Sequence, residues 1–397
     1  MQHKPLSGIR VLELGQLIAG PFAGNMLAYF GAETIKVEPP GRGDPLRGWR
    51  VVHNGTSYWW RSIARNKKCI TLNLKDPRGR EIARRLALRS DVLLENFRPG
   101  TLEDWGLDPQ QLRRGNPGLV SARISGYGQT GPYAKQPGFA SACEAYGGFR
   151  YVNGHPGEAP VRPNLSLGDT LAALHAVIGV LMALLTRERD KRGGQEVDVA
   201  IYESVFNILE GVVAEYSGAG VVREPSGTTL TGIVPTNTYR CADGRYVVVG
   251  GNGDSIFKRL MHAAGRGDLA EDARVAYNPG RVVHQREIDA AIGAWTGTRS
   301  SRAVLAALQD AEVPCGPIYS VADMFEDPHF AARQLFESVQ VDGDNLQLPA
   351  ILPKLSVTPG ATDWAGPALG AHNDEVLQGL LGMTRDELDG LRDEGIV

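Results

Sequence analysis

The sequence predicts an α/β protein built on a parallel sheet, with a second, smaller α+β domain. Two observations carry this. Through the first half, short apolar runs alternate with helical stretches, and that alternation implies parallel strands with helices on both faces. After about residue 217 the composition shifts: Gly218 to Pro235 is rich in Gly, Ser and Thr, and a hairpin signal follows it.

Ile9 to Leu14 is a short apolar run suited to a buried strand; Gly20-Pro21 opens a helix through Tyr29, and Glu33 to Glu38 is the next strand. The unit repeats with a strand at Cys69 to Leu74, a helix at Pro77 to Arg89 and a strand at Asp91 to Glu95. Asp76 caps that helix and Pro77 takes its first position, where a missing N–H costs nothing. A helix near Pro109 to Arg114 leads to a strand at Leu119 to Ile124; later, Glu196 to Ala200 reads as strand and Ile201 to Tyr216 as helix. In Thr238 to Gly251 the pair Asp243-Gly244 separates two alternating runs, the mark of a hairpin. Helices are expected at Asp254 to Ala264, Gln285 to Trp295 and Arg302 to Asp310, with a strand at Pro317 to Tyr319. Val321 to Glu337 reads as helix, the proline-bearing stretch Pro349 to Pro367 as an extended crossing between domains, and Glu375 to Leu391 as helix.

A length of 397 residues allows two to three domains. With 42% hydrophobic and 22% charged residues and a net charge of -3, the composition is that of a globular protein with no general attraction to nucleic acid or anionic membrane. Four scattered cysteines without a CxxC pair argue against zinc or a disulfide framework and for a reducing compartment. The first residues lack the apolar core of a signal peptide, so a cytoplasmic location is expected. The turn after the first strand, GQLIAGP, lacks the GxGxxG spacing of a dinucleotide site, and GxxxxGKS/T, HExxH and GxSxG are absent. No metal or tightly bound cofactor is expected.

The longest apolar run, Asn164 to Asp190, is expected to form a helix capped by Asp169 and buried on most sides, since its apolar residues surround the axis. It is read as a core helix, its apolar part falling short of the roughly 20 residues that a bilayer requires. Asp169 has two readings, a structural cap and a catalytic carboxylate given room by Gly168. Its local sequence leaves both open.

Six ordered stretches resemble the class III CoA-transferases, the family of formyl-CoA transferase and the carnitine CoA-transferases: Gly8 to Arg47, Leu72 to Arg80 (LNLKDPRGR), Glu95 to Leu102 (ENFRPGTL), Ile124 to Tyr133 (ISGYGQTGPY), Gly168 to Ser204, and Val313 to Ile318 (VPCGPI). The resemblance implies a Rossmann-like large domain with an inserted smaller α+β domain, in an interlocked homodimer of ring-like subunits. The implied bounds are 1–216 and 330–397 for the large CoA-binding domain, 225–325 for the small one, and 217–224 and 326–367 for linkers. It also implies that Asp169 is the nucleophile, passing CoA from an acyl-CoA to a carboxylic acid through anhydride and aspartyl-CoA intermediates. By position, Gln16, Lys75, Asn96, Arg98 and Lys135 are implied CoA contacts, with Tyr127 and Gly128 lining the acyl site. Ala140, Glu144 and Asp104 stand where the family commonly keeps an acid, a Gln and a base, which leaves the details of CoA contact open.

A related group on the same fold, the α-methylacyl-CoA racemases, carries a GHDxNY-like motif; here Gly138-Phe139-Ala140 offers no histidine base. A non-catalytic CoA-binding protein would be expected to lack the aspartate. Arg47, Arg162, the Ser226 to Thr231 loop, Thr236 and Asn237 suggest a small dicarboxylate as the acceptor, with succinyl-CoA as donor, because an arginine can hold a second carboxylate. Aromatic residues are expected to be few around the acyl site, which argues against a quaternary ammonium substrate.

Overall fold

The computed structural model describes residues 3–397. Among these it divides into a larger unit of residues 3–149, 163–210 and 332–397, and a smaller unit of 150–162 and 211–331. Residues 150–162 and 211–216 thus cluster with the smaller unit, inside the bounds first drawn for the large one.

The larger unit holds a six-stranded, wholly parallel sheet: β1 (Arg10–Glu13), β2 (Glu33–Glu38), β3 (Lys67–Thr71), β4 (Val92–Glu95), β5 (Val120–Ser125) and β6 (Glu196–Ala200). Its spatial order is β3-β2-β1-β4-β5-β6, the doubly wound order in which β1 and β4 are neighbours at the point where the chain reverses direction across the sheet. Register puts Val11 beside Thr34 and Val92, and Ala122 beside Leu94 and Val197. The helices introduced here are α1 (Ala19–Tyr29), α2 (Pro77–Ala87), α3 (Pro109–Gly115), α4 (Ala140–Tyr146), α5 (Leu167–Asp190) and α6 (Ile201–Phe206).

Period-two alternation sorts the strand side chains between two apolar layers. Val11, Val92, Leu94, Val120, Ala122 and Ile124 pack with α1 and α5, whereas Leu12, Leu14, Ile35, Val37 and Leu93 pack with α2. Asp76 caps α2 by accepting from the Arg78 N–H, with Pro77 at the first position as expected.

The central helix departs from expectation in two ways. Ser166, not Asp169, occupies the cap position of α5, and its own side chain makes no capping hydrogen bond; Asp169 is the third helical residue. Burial is one-sided: Ala172, Ala173, Ala176, Val180 and Ala183 face the core, while Ile178, Leu181, Met182 and Leu185 are exposed. At 24 residues the helix is long and apolar enough to cross a membrane, but it packs against α1, α6, β5 and β6, as a core helix does.

The smaller unit contains α7 (Val212–Ala219), β7 (Thr236–Arg240), β8 (Tyr246–Gly250), α8 (Asp254–Ala263), α9 (Gln285–Thr296), α10 (Ser301–Asp310), β9 (Cys315–Pro317), α11 (Val321–Glu326) and most of α12 (Pro328–Ala332). Strands β7 and β8 form the expected hairpin through Asp243-Gly244, and β9 joins antiparallel to β8. The single helix expected over Ile201 to Tyr216 is two, α6 and α7, because Glu210 adopts φ 51° just before Gly211. Val321 to Glu337 is not one helix either. Asp327 is extended ahead of Pro328, which breaks the first helix, and Gln334 at φ 50° follows the second. Phe336 then begins an unexpected hairpin, β10 (Phe336–Val341) and β11 (Asp344–Pro349).

Pro349 to Pro367 lies wholly within the larger unit rather than crossing between units. It runs beside Asn66, whose amide donates to Ala361, and Trp60, whose indole donates to Pro367. The expected last helix is divided by Gly382 into α13 (Asn373–Leu381) and α14 (Arg385–Asp393).

Candidate active site

Chain reversal between β1 and β4 opens a crevice at the carboxyl ends of β1 to β4, the place where doubly wound sheets bind ligands. The loops after β1 and β4 are locked together: the Gln16 N–H donates to Asn96 Oδ1 at 2.8 Å, and Asn96 Nδ2 donates to the Gln16 carbonyl at 2.9 Å. Gly15 is required beside them, since a Cβ there would lie 2.5 Å from Asn96 Oδ1. A buried charge cluster anchors the same loop from below. Lys36 reaches Glu13 at 3.1 Å and Asp44 at 3.0 Å and donates to the Gly15 carbonyl at 2.7 Å, while Lys67 meets Glu13 at 2.8 Å. Burial lowers the affinity of Lys36 for its proton, but Asp44, Glu13 and Glu38 outweigh it and the net shift is upward; for Lys67 burial wins and the shift is downward. Asp44 also accepts the N–H of Leu17, which holds φ 65° at the rim.

Gln16, Arg42, Lys75, Phe97 and Trp105 line this crevice, a cleft of about 340 Å³. Of the residues expected to contact CoA, Gln16 and Lys75 line this cleft, and Asn96, outside the lining, holds the Gln16 loop in place. Arg98 and Lys135 are exposed and are not among the lining residues. Arg42, Phe97 and Trp105 escaped the sequence reading, although Phe97 lies within the ENFRPGTL motif.

Arg47 is not among the lining residues, although its partner Glu38 is. Its guanidinium grips Glu38 through two hydrogen bonds of 2.7 Å, donates to the Pro367 carbonyl at 3.1 Å and stacks 3.8 Å above the Trp60 ring. Those commitments make it a structural residue, not a free cation for a substrate. Arg162 belongs to the smaller unit.

Asp169 is half-buried in the first turn of α5 and is not among the residues that line the crevice. Beneath it the fully buried Glu144 of α4 accepts the Gly168 N–H at 3.0 Å. A Cβ on Gly168 would meet Ile201 Cγ2 at 3.0 Å and Glu144 Cγ at 3.1 Å, so glycine is what lets α5 start this close to α4 and α6. Next to Glu144, burial pushes the Cys143 thiol up to about 11, and the charges of Asp169 and Glu144 push it the same way. That thiol is protonated and inert at neutral pH.

The loop after β5 completes this neighbourhood. The Gly128 N–H donates to Ser125 Oγ at 2.9 Å and the Gln129 N–H to Asp198 at 3.0 Å. Tyr127 packs with Tyr133, Tyr146 and Tyr202 at ring-centroid separations of 5.5 to 6.2 Å, and Tyr146 meets Tyr202 at 5.2 Å. Aromatic side chains are therefore plentiful here, contrary to the expectation that they are few. Tyr146 and Tyr202 come from separate helices, so sequence spacing gave no sign of the cluster.

The family model of CoA-transferase family III matches residues 6–373. The chain belongs to that family. It is 46% identical over 396 residues to a succinyl-CoA–D-citramalate CoA-transferase of Chloroflexus aurantiacus, covering 99% of this chain and 98% of that one. It is 34% identical to a succinate–glutarate CoA-transferase of Agrobacterium fabrum, over 95% of this chain and 96% of the relative. Among solved structures, a CaiB/BaiF family protein from Brucella suis superposes with a TM-score of 0.85 at 32% identity, covering 96% of this chain and all of the other. A family III CoA-transferase handles CoA thioesters, and among the described residues no group of His, Cys, Asp and Glu is arranged to hold a metal.

Proposed function

We propose that this family III CoA-transferase moves CoA from succinyl-CoA to a small dicarboxylic acid of the citramalate, malate or glutarate type, with Asp169 as nucleophile. The observation that carries the substrate class is the 46% identity, end to end, with a transferase named for succinyl-CoA and D-citramalate. The loss of Arg47 as a carboxylate clamp removes one argument for a dicarboxylate, and the tyrosine cluster removes the argument against a cationic acyl group.

In the proposed route a carboxylate oxygen of Asp169 attacks the thioester carbonyl; the C–S bond breaks and CoA leaves as thiolate, giving a mixed anhydride. The thiolate then attacks the aspartyl carbonyl, the anhydride C–O bond breaks, and succinate leaves with the electron pair. An acceptor carboxylate attacks the aspartyl-CoA carbonyl, the C–S bond breaks to expel the thiolate and a second mixed anhydride forms; the thiolate then attacks the acceptor's acyl carbon, the anhydride C–O bond breaks, and the Asp169 carboxylate leaves restored. No net proton is taken up. The Gly168 N–H in the first turn of α5 is already given to Glu144, so the proposal assigns stabilisation of the developing oxyanions to the positive end of the helix dipole. Gln16, Asn96 and Lys75 are assigned to CoA, Lys75 supplying charge for a phosphate.

A homodimer belongs to the same proposal, supported by the exposed apolar face of α5. So does a reducing, cytoplasmic setting, supported by the four unpaired cysteines.

The test of the nucleophile is Asp169→Asn. Turnover is expected to fall at least about 10³-fold with the affinity for CoA preserved, and a CoA adduct on Asp169, trapped by mass spectrometry in wild type without acceptor, is expected to vanish. Turnover within tenfold of wild type would refute the assignment. For the substrates, citramalate, malate, glutarate, itaconate, oxalate, formate and carnitine are assayed with succinyl-CoA and acetyl-CoA; preferred conversion of formate, oxalate or carnitine overturns the dicarboxylate reading alone.

A further inference from the structure

We infer that Glu144 is a positioning residue for the nucleophile, acting through the backbone of α5, an assignment that rests on the reading of Asp169 as nucleophile. Three observations meet at this carboxylate. It is fully buried, where a carboxyl group is tolerated only if it is hydrogen-bonded. It accepts the N–H of Gly168, the residue immediately before Asp169, at 3.0 Å. Finally, Gly168 is squeezed between Glu144 and Ile201 so closely that no larger residue fits without displacing one of them.

The first turn of a helix is its loosest, because its N–H groups lack partners within the helix. Ser166 at the cap position makes no side-chain bond to this turn. An acceptor delivered from α4 takes that role at the second helical residue. It fixes the backbone from which the Asp169 side chain projects, one residue on. A side chain that must first attack the acyl-CoA carbonyl and then present its own acyl carbon to the CoA thiolate and to the acceptor carboxylate loses rate steeply when its origin drifts by an ångström. What Glu144 contributes is therefore the acceptor oxygen and its place, not proton transfer, and nothing in the step requires it to touch substrate.

Glu144→Gln keeps an oxygen at the same reach, and Glu144→Leu removes it at similar volume. The Leu variant is expected to lose kcat at least about 30-fold, with KM for succinyl-CoA within threefold and the CoA adduct on Asp169 forming correspondingly slowly. The Gln variant is expected to recover to within about fivefold of wild type. Should the Leu variant fail to fold, Gly168→Ala supplies the second arm: its methyl crowds both Ile201 and Glu144 at the turn, and kcat is expected to fall with KM held. Wild-type kcat in a folded Leu or Ala variant overturns the assignment, and so does a Gln variant as slow as the Leu one, since charge would then be the working feature. Absence of any adduct on Asp169 in wild-type enzyme would instead defeat the underlying reading, so the two failures are distinguishable.

Discussion

Arg47 illustrates how a residue type suggests one role and its surroundings impose another. In the sequence it is an arginine within a family motif, available for a carboxylate; in the fold that carboxylate is Glu38, fully buried, with Trp60 stacked on the other side. Removing one partner of a buried pair leaves a charge uncompensated, which typically costs about 3–5 kcal/mol. Arg47→Ala is therefore expected to lower the urea midpoint markedly while leaving the ratio of succinyl-CoA to acetyl-CoA turnover unchanged. A stable variant with altered donor preference would return Arg47 to the acyl site. Asp169 teaches the converse. Its residue type and its glycine neighbour were legible, but its third place in the helix was not, because the cap at Ser166 is defined by backbone angles and not by a capping side chain.

At the scale of elements, the strands and helices around the large sheet were legible where hydrophobic period and turn residues agree, as in β2, whose bounds match the expectation, and in α2 with its Asp-Pro start. Failures fall where tertiary packing decides. The hairpin β10–β11 turns at Asp342-Gly343, a signal of the same kind as Asp243-Gly244, but the apolar residues ahead of it suited a helix equally well. No local pattern could place Tyr146 beside Tyr202, or Glu144 beneath Gly168. The pairing of β4 with β5 carries a testable consequence. Arg123 donates to Glu95 at 2.8 Å and to Glu103 at 2.8 Å, yet burial pushes the Glu95 carboxyl from 4.5 up to about 7. The folded state then binds more protons than the unfolded one between those two values, so stability falls as pH rises through that window and levels off above it. The span corresponds to a loss on the order of 3 kcal/mol. Urea midpoints at pH 5 and pH 8 are expected to differ less in Glu95→Gln than in wild type; equal slopes would show that Arg123 holds the carboxylate ionised after all.

For the whole molecule the outer face of α5 is the feature to explain. Ile178, Leu181, Met182 and Leu185 recur at positions i, i+3, i+4 and i+7, one stripe of a helix, and are 41% to 63% exposed in the single chain. A soluble monomer seldom leaves so regular an apolar stripe in water, and a second copy of this chain is the occupant that the family resemblance implies. Burying such a side chain contributes about 1.5–3 kcal/mol, so placing charges at two of the four positions removes about 3 kcal/mol or more from association. Wild-type protein diluted below micromolar concentration is expected to scatter light as twice 42.8 kDa. Leu181→Glu combined with Met182→Lys should raise the dissociation midpoint at least roughly a hundredfold, since each 1.4 kcal/mol is a factor of ten. If the two chains interlock, the separated variant should also lose its cooperative unfolding transition, because no complete fold remains in one chain. A wild-type species of 42.8 kDa that stays folded and active on dilution would defeat both the dimer and its interlocking.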